Sequence, residues 1–535
     1  MSRTKFKQSK TRISGQLHGE KGAIIKDWGG RLPIALIYPN SYYLGMSNLG
    51  IHSIYRLLNS HRQVVCERVF WEKELKDKII PPASMESQRP LSDFAMLAFS
   101  ISYELDYFNV VRILEASGIP LYAADRDESH PLIIGGGPCV TANPMPLAPF
   151  FDYLCIGEAE PILPAMLPVL FEGMGGRRND LLKVLASLPG IYAPEHHSGT
   201  QVKRQWTGNL DDFPATSVIF TPDTELGDLC LIEAERGCGR GCRFCLVSAI
   251  CSPMRFRSAD NLIEQARQGF EHRRRIGLVG PAVADHPQIE EIMARLRQMG
   301  AGLSISSLRM GPLSHNILRE LAEGGARTVT FAPEAGSQRL WQVIKKDITE
   351  NAILKAINET AAAGIKNLKL YFMFGLPSET DEDIEEIINL TLAGKEIIDR
   401  RRSNTRITLN IAPFVPKAGT PFQWLPMASI QTLNRRISLL KKRLPPKGIK
   451  LNCESPSWSQ IQGVLARGDT KVAKVLADIE EISLSGWRRA MEECHLDIDF
   501  YVNQIWDVRQ KLPWAMIDSG ASLEHLEREL KKALV

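Results

Sequence analysis

The tightest constraint in this chain of 535 residues is the stretch Ile232-Glu233-Ala234-Glu235-Arg236-Gly237-Cys238-Gly239-Arg240-Gly241-Cys242-Arg243-Phe244-Cys245. Three cysteines stand at C-x3-C-x2-C spacing inside eight residues, and three glycines let the backbone between and before them close around a bound object. The apolar run 228–232 that leads into them reads as a buried strand. Iron–sulfur clusters are held by cysteine thiolates, and no fourth cysteine falls into register here. A 4Fe–4S cubane on three protein thiolates keeps one iron open to an outside ligand, as catalytic metal sites do. Two plainer readings of the same residues are a zinc site short of a ligand and three thiols brought close by chance.

Composition bounds the alternatives. A chain this long exceeds one core and points to roughly two to four domains. A net charge of +4 is mild for the size and does not by itself argue for a nucleic-acid partner. The N-terminus is polar and basic, without the apolar region of a signal peptide. The longest charge-free stretch, 131–151, is broken by Pro138, Pro144, Pro146, Pro149 and three consecutive glycines, so it cannot be a membrane helix. Ten cysteines, three of them clustered, fit a reducing compartment. The expectation is a cytoplasmic protein without a membrane span.

Taken in order, residues 1–29 carry Arg3, Lys5, Lys7, Lys10 and Arg12 and read as a basic flexible tail. Residues 30–174 alternate short apolar runs with helical segments: strands over 32–38, 63–70, 94–102, 119–123, 131–134 and 152–157, helices over 49–58, 105–116 and from 160. That alternation predicts a parallel, doubly wound sheet, with ligands at the carboxyl ends of its strands. Residues 175–227 read as a connector holding a small hairpin at 201–206. From 228 to 428 six further βα units follow, with strands at 229–233, 276–279, 303–307, 328–332, 368–374 and 408–412, a partial (β/α)6 barrel whose chemistry belongs on loops at the strands' C-terminal ends. Residues 429–535 read as a helical C-terminal domain capping the barrel, with Trp458, Trp487, Trp506 and Trp514 as its core. The fold class is therefore α/β, a flavodoxin-like parallel sheet followed by a partial TIM barrel and a helical cap.

The cysteine spacing, with Phe244 just before Cys245, resembles the signature of the radical SAM superfamily. The resemblance implies a 4Fe–4S cluster on Cys238, Cys242 and Cys245, whose open iron is chelated by the amino and carboxylate groups of S-adenosylmethionine (SAM). One electron then cleaves the sulfonium to a 5′-deoxyadenosyl radical, so the cofactors carry the difficult chemistry. Cys251 would stay outside the cluster. The loops after the barrel strands resemble SAM-binding segments of methylthiotransferase-like members. Gly280 stands where the superfamily often has Gly-Gly-Glu for the SAM amino group; the acid is absent, so backbone carbonyls would have to accept that bond. Arg309 would pair with the SAM carboxylate. Glu334 would accept from the ribose while Ser337 caps the next helix, and the turn at Gly375 and Pro377 would pack on adenine.

Residues 30–170 are similar to the cobalamin-binding type of domain that precedes many radical SAM cores, through Tyr42 and Gly45, through Gly135, Gly136 and Gly137, and through Glu158. The D-x-H-x-x-G motif of that type, whose histidine ligates cobalt from below, is missing, and His52 reads as a helix-face residue. What the resemblances imply is an enzyme that cleaves SAM reductively and modifies an unactivated carbon, methylation through cobalamin being one form of that modification. It would need an electron donor such as flavodoxin or ferredoxin and would act on a small molecule, a lipid precursor or RNA. No catalytic side chain is assigned. The alternatives are a radical modification without cobalamin and a non-catalytic Fe–S electron carrier or scaffold.

Overall fold

The computed structural model describes residues 15–72, 81–197, 199–227, 229–306, 308, 310 and 315–534. They form two units. The first holds the chain to residue 229 with 468–497 and 511–520, and the second holds 230–467 with 498–510 and 521–535.

The first unit is built on a six-stranded sheet of β1 (Leu32–Tyr38), β2 (Val64–Phe70), β3 (Met96–Ser100), β4 (Leu132–Gly136), β5 (Tyr153–Cys155) and β6 (Ile191–Tyr192), in the order β2-β1-β3-β4-β5-β6. β1 to β5 run parallel and β6 closes one edge antiparallel. β2 and β3 are buried along their whole length, as parallel strands covered on both faces must be. The helices α1 (Leu49–Ser60), α2 (Tyr107–Ala116) and α3 (Ala159–Gly173) follow β1, β3 and β5. No strand forms at 119–123; Pro120 lacks a ladder donor and the chain turns through Ala123–Asp125 instead. Nor is 201–206 a hairpin, because Val202–Lys203 pairs in parallel with Ile517–Asp518.

The N-terminal arm is not free through residue 29. Lys26 Nζ donates to the carbonyls of Asn59, His61 and Val64, and the Trp28 indole donates to Glu67 at 2.6 Å. Glu20 reaches the core, where Arg68, wholly shut off from solvent, pairs with Glu20 at 2.7 Å and Glu86 at 2.8 Å. Tyr42 donates to Glu20 and Tyr55 to Glu86, so both carboxylates are further satisfied. The five basic residues of the expected tail lie outside the described residues.

The second unit carries β7 (Leu229–Glu233), β8 (Arg275–Val279) and β9 (Gly302–Ile305) as one sheet in the order β9-β8-β7. A second sheet runs β10 (Thr328–Glu334), β11 (Asn367–Phe374), β12 (Arg406–Pro413) and β13 (Lys450–Cys453), all parallel. A parallel bridge from Leu308 to Phe331 links the two sheets, with the Leu308 N–H donating to the Thr330 carbonyl at 2.9 Å. β13 is a seventh strand that the sequence pattern did not mark, because its four residues Lys-Leu-Asn-Cys are half polar and partly exposed. Along β11 and β12 burial alternates strictly. Leu368, Leu370, Phe372, Phe374, Ile407, Leu409 and Ile411 are buried, while Lys369, Tyr371, Thr408 and Asn410 lie on the more open face.

The segment after 429 is not one domain. Helices Ile430–Arg443 and Pro456–Arg467 belong to the second unit, and the remainder is divided between the two. The tryptophans follow that division instead of sharing a core. Trp487 meets Phe108 edge-on at 5.7 Å in the first unit, and Trp506 lies under the Arg467 guanidinium at 3.9 Å in the second. Among the described residues no helix is long and apolar enough to cross a membrane.

Glu20→Ala would leave the buried Arg68 with one carboxylate fewer, and loss of a buried charge partner is costly. The expected loss is about 3 kcal/mol in urea unfolding followed by circular dichroism. A change below about 0.5 kcal/mol would reject the network as a stabilising contact.

Candidate active site

β7 ends on Glu233, whose carboxylate lies between Arg236 at 2.9 Å and Arg257 at 2.7 Å. Burial would push its pKa up, but the two guanidinium groups bring it below the usual carboxylate range. The chain then enters the cysteine loop through Gly237, at φ 86°, where an added Cβ would stand 2.4 Å from the Cys251 carbonyl oxygen. A tight turn follows in which the Cys245 N–H donates to the Cys242 carbonyl at 3.0 Å.

Arg243, between those two cysteines, fixes the loop to the rest of the unit. Its N–H donates to Ile344 O at 3.1 Å, its Nη1 to Gln342 O and Val343 O at 2.8 Å each, and its Nε to Glu529 at 3.3 Å. Those carbonyls belong to the end of the helix Gln338–Val343 and the residue after it. Glu529 comes from the C-terminal helix Leu523–Leu534 and also meets Lys345 at 3.3 Å and Lys532 at 3.1 Å. Burial opposes its ionisation, yet the surrounding cations hold its pKa down to about 2. Neither Arg243 nor Glu529 was picked out from the sequence, since nothing in their spacing marks a contact across so much chain.

All three cysteines are free thiols and half-buried. Burial pushes Cys238 up, against the backbone N–H of Arg240, and pushes Cys242 up to about 11, against Lys346. A bound metal supplies the positive charge that makes such thiols thiolates. Among the described residues no three His, Cys, Asp or Glu side chains converge where a single ion would sit. A cubane makes a different demand, one thiolate at each of three separate irons, and three half-buried thiols on one glycine-bearing loop meet it. Cys251 ends the short helix Leu246–Ile250 beyond the loop.

The loops after the other barrel strands stand at the same end of the sheets. Gly280 follows β8, and its carbonyl accepts from the Ser306 hydroxyl at 3.1 Å. Arg309 lies outside the described residues. Glu334 ends β10 at φ 69°, a left-handed conformation that costs a non-glycine residue energy and recurs at functional sites, and pairs with Lys346 at 3.1 Å. Ser337 accepts from the Leu340 N–H at 3.3 Å and donates to Asp383 at 2.6 Å, so its hydroxyl serves its own helix and the first turn of the helix Asp381–Arg400 instead of a ligand. The turn at Gly375 and Pro377 is drawn tight by Glu379, which accepts from the Gly375 N–H and pairs with the buried Arg436.

In the first unit the residues read for cobalamin do not share a ligand-facing surface. Tyr42 is buried, edge-on to Phe70 at 5.2 Å, with its hydroxyl on Glu20 at 2.6 Å. Gly45 faces the Phe70 ring and Gly135 faces Leu154 and Phe151, so both are small for internal packing. Gly136 has ordinary clearance, and Gly137 lies against the Ile101 backbone. Glu158 accepts from the Thr207 N–H at 3.0 Å and donates its own N–H to the Gln205 carbonyl, so the chain's own 205–207 segment covers it. His52 is wholly buried and uses both ring nitrogens, accepting from Val218 N–H at 3.1 Å and bonding Met46 O at 3.0 Å. Burial lowers its pKa to about 4. It is neutral and structural, without a free nitrogen for a metal.

Two family models match the chain, "Radical SAM proteins, N-terminal" over residues 50–194 and "Radical SAM superfamily" over 232–391. The chain belongs to the radical SAM superfamily. An uncharacterized protein of Methanocaldococcus jannaschii is 34% identical over 83% of this chain and 90% of its own length. An uncharacterized methyltransferase of Pyrococcus horikoshii is 26% identical over 48% of this chain and 56% of its own. Among solved structures, the cobalamin-dependent SAM radical enzyme OxsB matches with a TM-score of 0.48 and 12% identity, over 94% of this chain and 79% of that one.

The chain is thus an enzyme that requires a reductant and a substrate, and membership implies a 4Fe–4S cluster and SAM. The cysteine loop fits the cluster. The six residues read for cobalamin do not fit that group, and no step below is routed through it.

After anaerobic reconstitution, wild type and Cys251→Ala should hold about four irons and Cys242→Ala almost none. Gly237→Ala should also lose most of its iron, because its Cβ would meet the Cys251 carbonyl. Iron retained in Cys242→Ala would reject the assignment.

Proposed function

We propose that Cys238, Cys242 and Cys245 hold a 4Fe–4S cluster at which SAM is cleaved reductively, and that the enzyme modifies an unactivated carbon of a polar substrate, most simply by adding a methyl group. What supports the site is the braced cysteine loop following the first strand of the barrel sheets, the end where barrels carry their chemistry. When bound, the cluster and SAM supply a carbon-centred radical. The chain's own residues orient and shield. Arg309 would take the SAM carboxylate, Glu334 the ribose hydroxyls with Lys346 fixing its carboxylate, and the turn at Gly375 and Pro377 would lie along the adenine.

The polarity of the substrate is supported by the barrel sheet. Tyr371, Asn410 and Asn452 stand in one register row on the face opposite the buried apolar side chains. Asn452 donates to Asn410 Oδ1 at 2.8 Å, while Asn410 Nδ2 is buried with no partner among the described residues. A buried donor left unpaired is costly, and a polar ligand in the barrel would satisfy it. That row favours a hydrogen-bonding small molecule or nucleoside over a lipid precursor. Methyl transfer as the outcome rests on the likeness to the Pyrococcus horikoshii methyltransferase.

Two measurements test this. Reduced, reconstituted enzyme should release 5′-deoxyadenosine from SAM, and its absence with an intact cluster would reject radical cleavage. With deuteriomethyl SAM and the small-molecule and RNA fractions of a cell extract, a three-deuterium mass increment should appear in a polar product; label confined to methionine, with unlabelled 5′-deoxyadenosine released, would leave a modification other than methylation. Arg309→Ala and Glu334→Ala should each weaken SAM binding by about 1.5–3 kcal/mol, as for hydrogen bonds to charged groups. Arg309→Lys should restore only part of that, since an ammonium cannot reproduce the guanidinium fork.

A further inference from the structure

We infer that Glu235, two residues beyond β7, receives the amino group of SAM, its unoccupied carboxylate oxygen accepting an N–H from the methionine end of the cofactor. The inference rests on the SAM reading above and names a contact that reading left to backbone carbonyls. Glu235 is 1% exposed and stands three residues before Cys238. Its Oε1 accepts from the Ala282 N–H at 2.6 Å, which ties the loop after β8 to it. Its Oε2 is buried and has no hydrogen-bond partner among the described residues.

Few side chains pose so sharp a demand. A buried carboxylate is normally paired with a cation or with several donors, and here the charged groups acting on it are Glu233 and Asp285, both anionic. Burial together with those neighbours lifts its pKa to about 7. What the site lacks is a donor with positive charge, and an α-amino group supplies both.

The neighbouring backbone is cut to fit this carboxyl. A Cβ on Gly280 would stand 2.2 Å from Glu235 Oε1, so glycine is required there for the carboxyl to lie against the loop. The Gly280 carbonyl already accepts from the Ser306 hydroxyl. The acid of the loop after β8, Asp285, is paired with Arg240 at 2.8 Å, and the acid pressed against Gly280 is Glu235 from the neighbouring strand end. The Ala282 bond fixes the carboxyl plane and leaves Oε2 as the free acceptor beside the cysteine loop.

The test is SAM titration of the cluster-loaded, full-length enzyme, wild type against Glu235→Gln, with electron paramagnetic resonance of the reduced cluster recorded before SAM is added. Glutamine keeps the size and can still accept from Ala282 through its amide oxygen, but it loses the charge. The expected result is SAM affinity lower by about tenfold or more, with the SAM-free cluster spectrum unchanged. Wild-type affinity in Glu235→Gln would overturn the inference while leaving the SAM site standing. A weakened affinity accompanied by an altered SAM-free spectrum would also overturn it, in favour of Glu235 as a mere brace of the loop. Failure of wild type itself to bind SAM would sink the cofactor reading and this inference with it.

Discussion

A loop that packs three cysteines and two glycines into residues 238–245 has few side chains for apolar packing, the fewer still if its thiols hold the proposed cluster. Backbone hydrogen bonds and charge must hold it. Arg243 does most of this: one guanidinium and its own N–H satisfy three carbonyls at a helix end, where the dipole favours a cation, and its Nε meets Glu529. Gly237 does the rest by letting the chain pass against the Cys251 and Pro253 carbonyls where any side chain would collide. The cysteines can then be half-buried, shielded from bulk water but not sealed in.

The sheets set what surrounds that loop. Closed barrels fill their interior with branched apolar side chains. In β11 and β12 the fully buried apolar residues take one face, and the other carries Lys369, Tyr371, Thr408 and Asn410, with Asn452 of β13 in register beside Asn410. Two-residue periodicity makes this an all-or-none choice, since a one-residue slip would exchange the faces. The same alternation that buries one face of the sheet therefore leaves a largely polar wall on the other. β13 extends that wall by one asparagine, held by its bond to Asn410.

Regular elements with strong periodicity could be read before any coordinates. β1 spans Leu32–Tyr38 as the apolar run predicted, and the order of βα units through the second unit follows the pattern. Where proline or polarity weakened the pattern the reading erred, as at 119–123, which turns, and at Lys450–Cys453, which pairs. The cysteine loop was legible because its chemistry is local in sequence. Gly45 and Gly135 misled because a glycine that admits a neighbouring ring looks, in sequence, like one that admits a ligand. Ser337 was half legible: its role as a helix cap follows from position, whereas its bond to Asp383 depends on the first turn of a helix that is distant in sequence. Glu235 was hidden for the opposite reason. It lies within the motif, but its meaning depends on Gly280 and Ala282 from the next strand.

The contact between Arg243 and Glu529 is also the longest reach in the site. Loop-closure entropy grows only slowly with the length spanned, so such a contact costs little more at equilibrium than a shorter-range one. Until the helix Leu523–Leu534 is in place, Arg243 and Lys345 lack the carboxylate between them, although Arg243 keeps its three carbonyls. With the helix docked, one carboxylate meets Arg243 and Lys345, and a third cation, Lys532, lies on the helix itself. The cation that acts to lower the Cys242 thiol pKa is a different one, Lys346, held by Glu334. The last helix thus acts on the cysteine loop as a mechanical tie through Arg243, while the charge the Cys242 sulfur feels comes from Lys346, held at the end of β10.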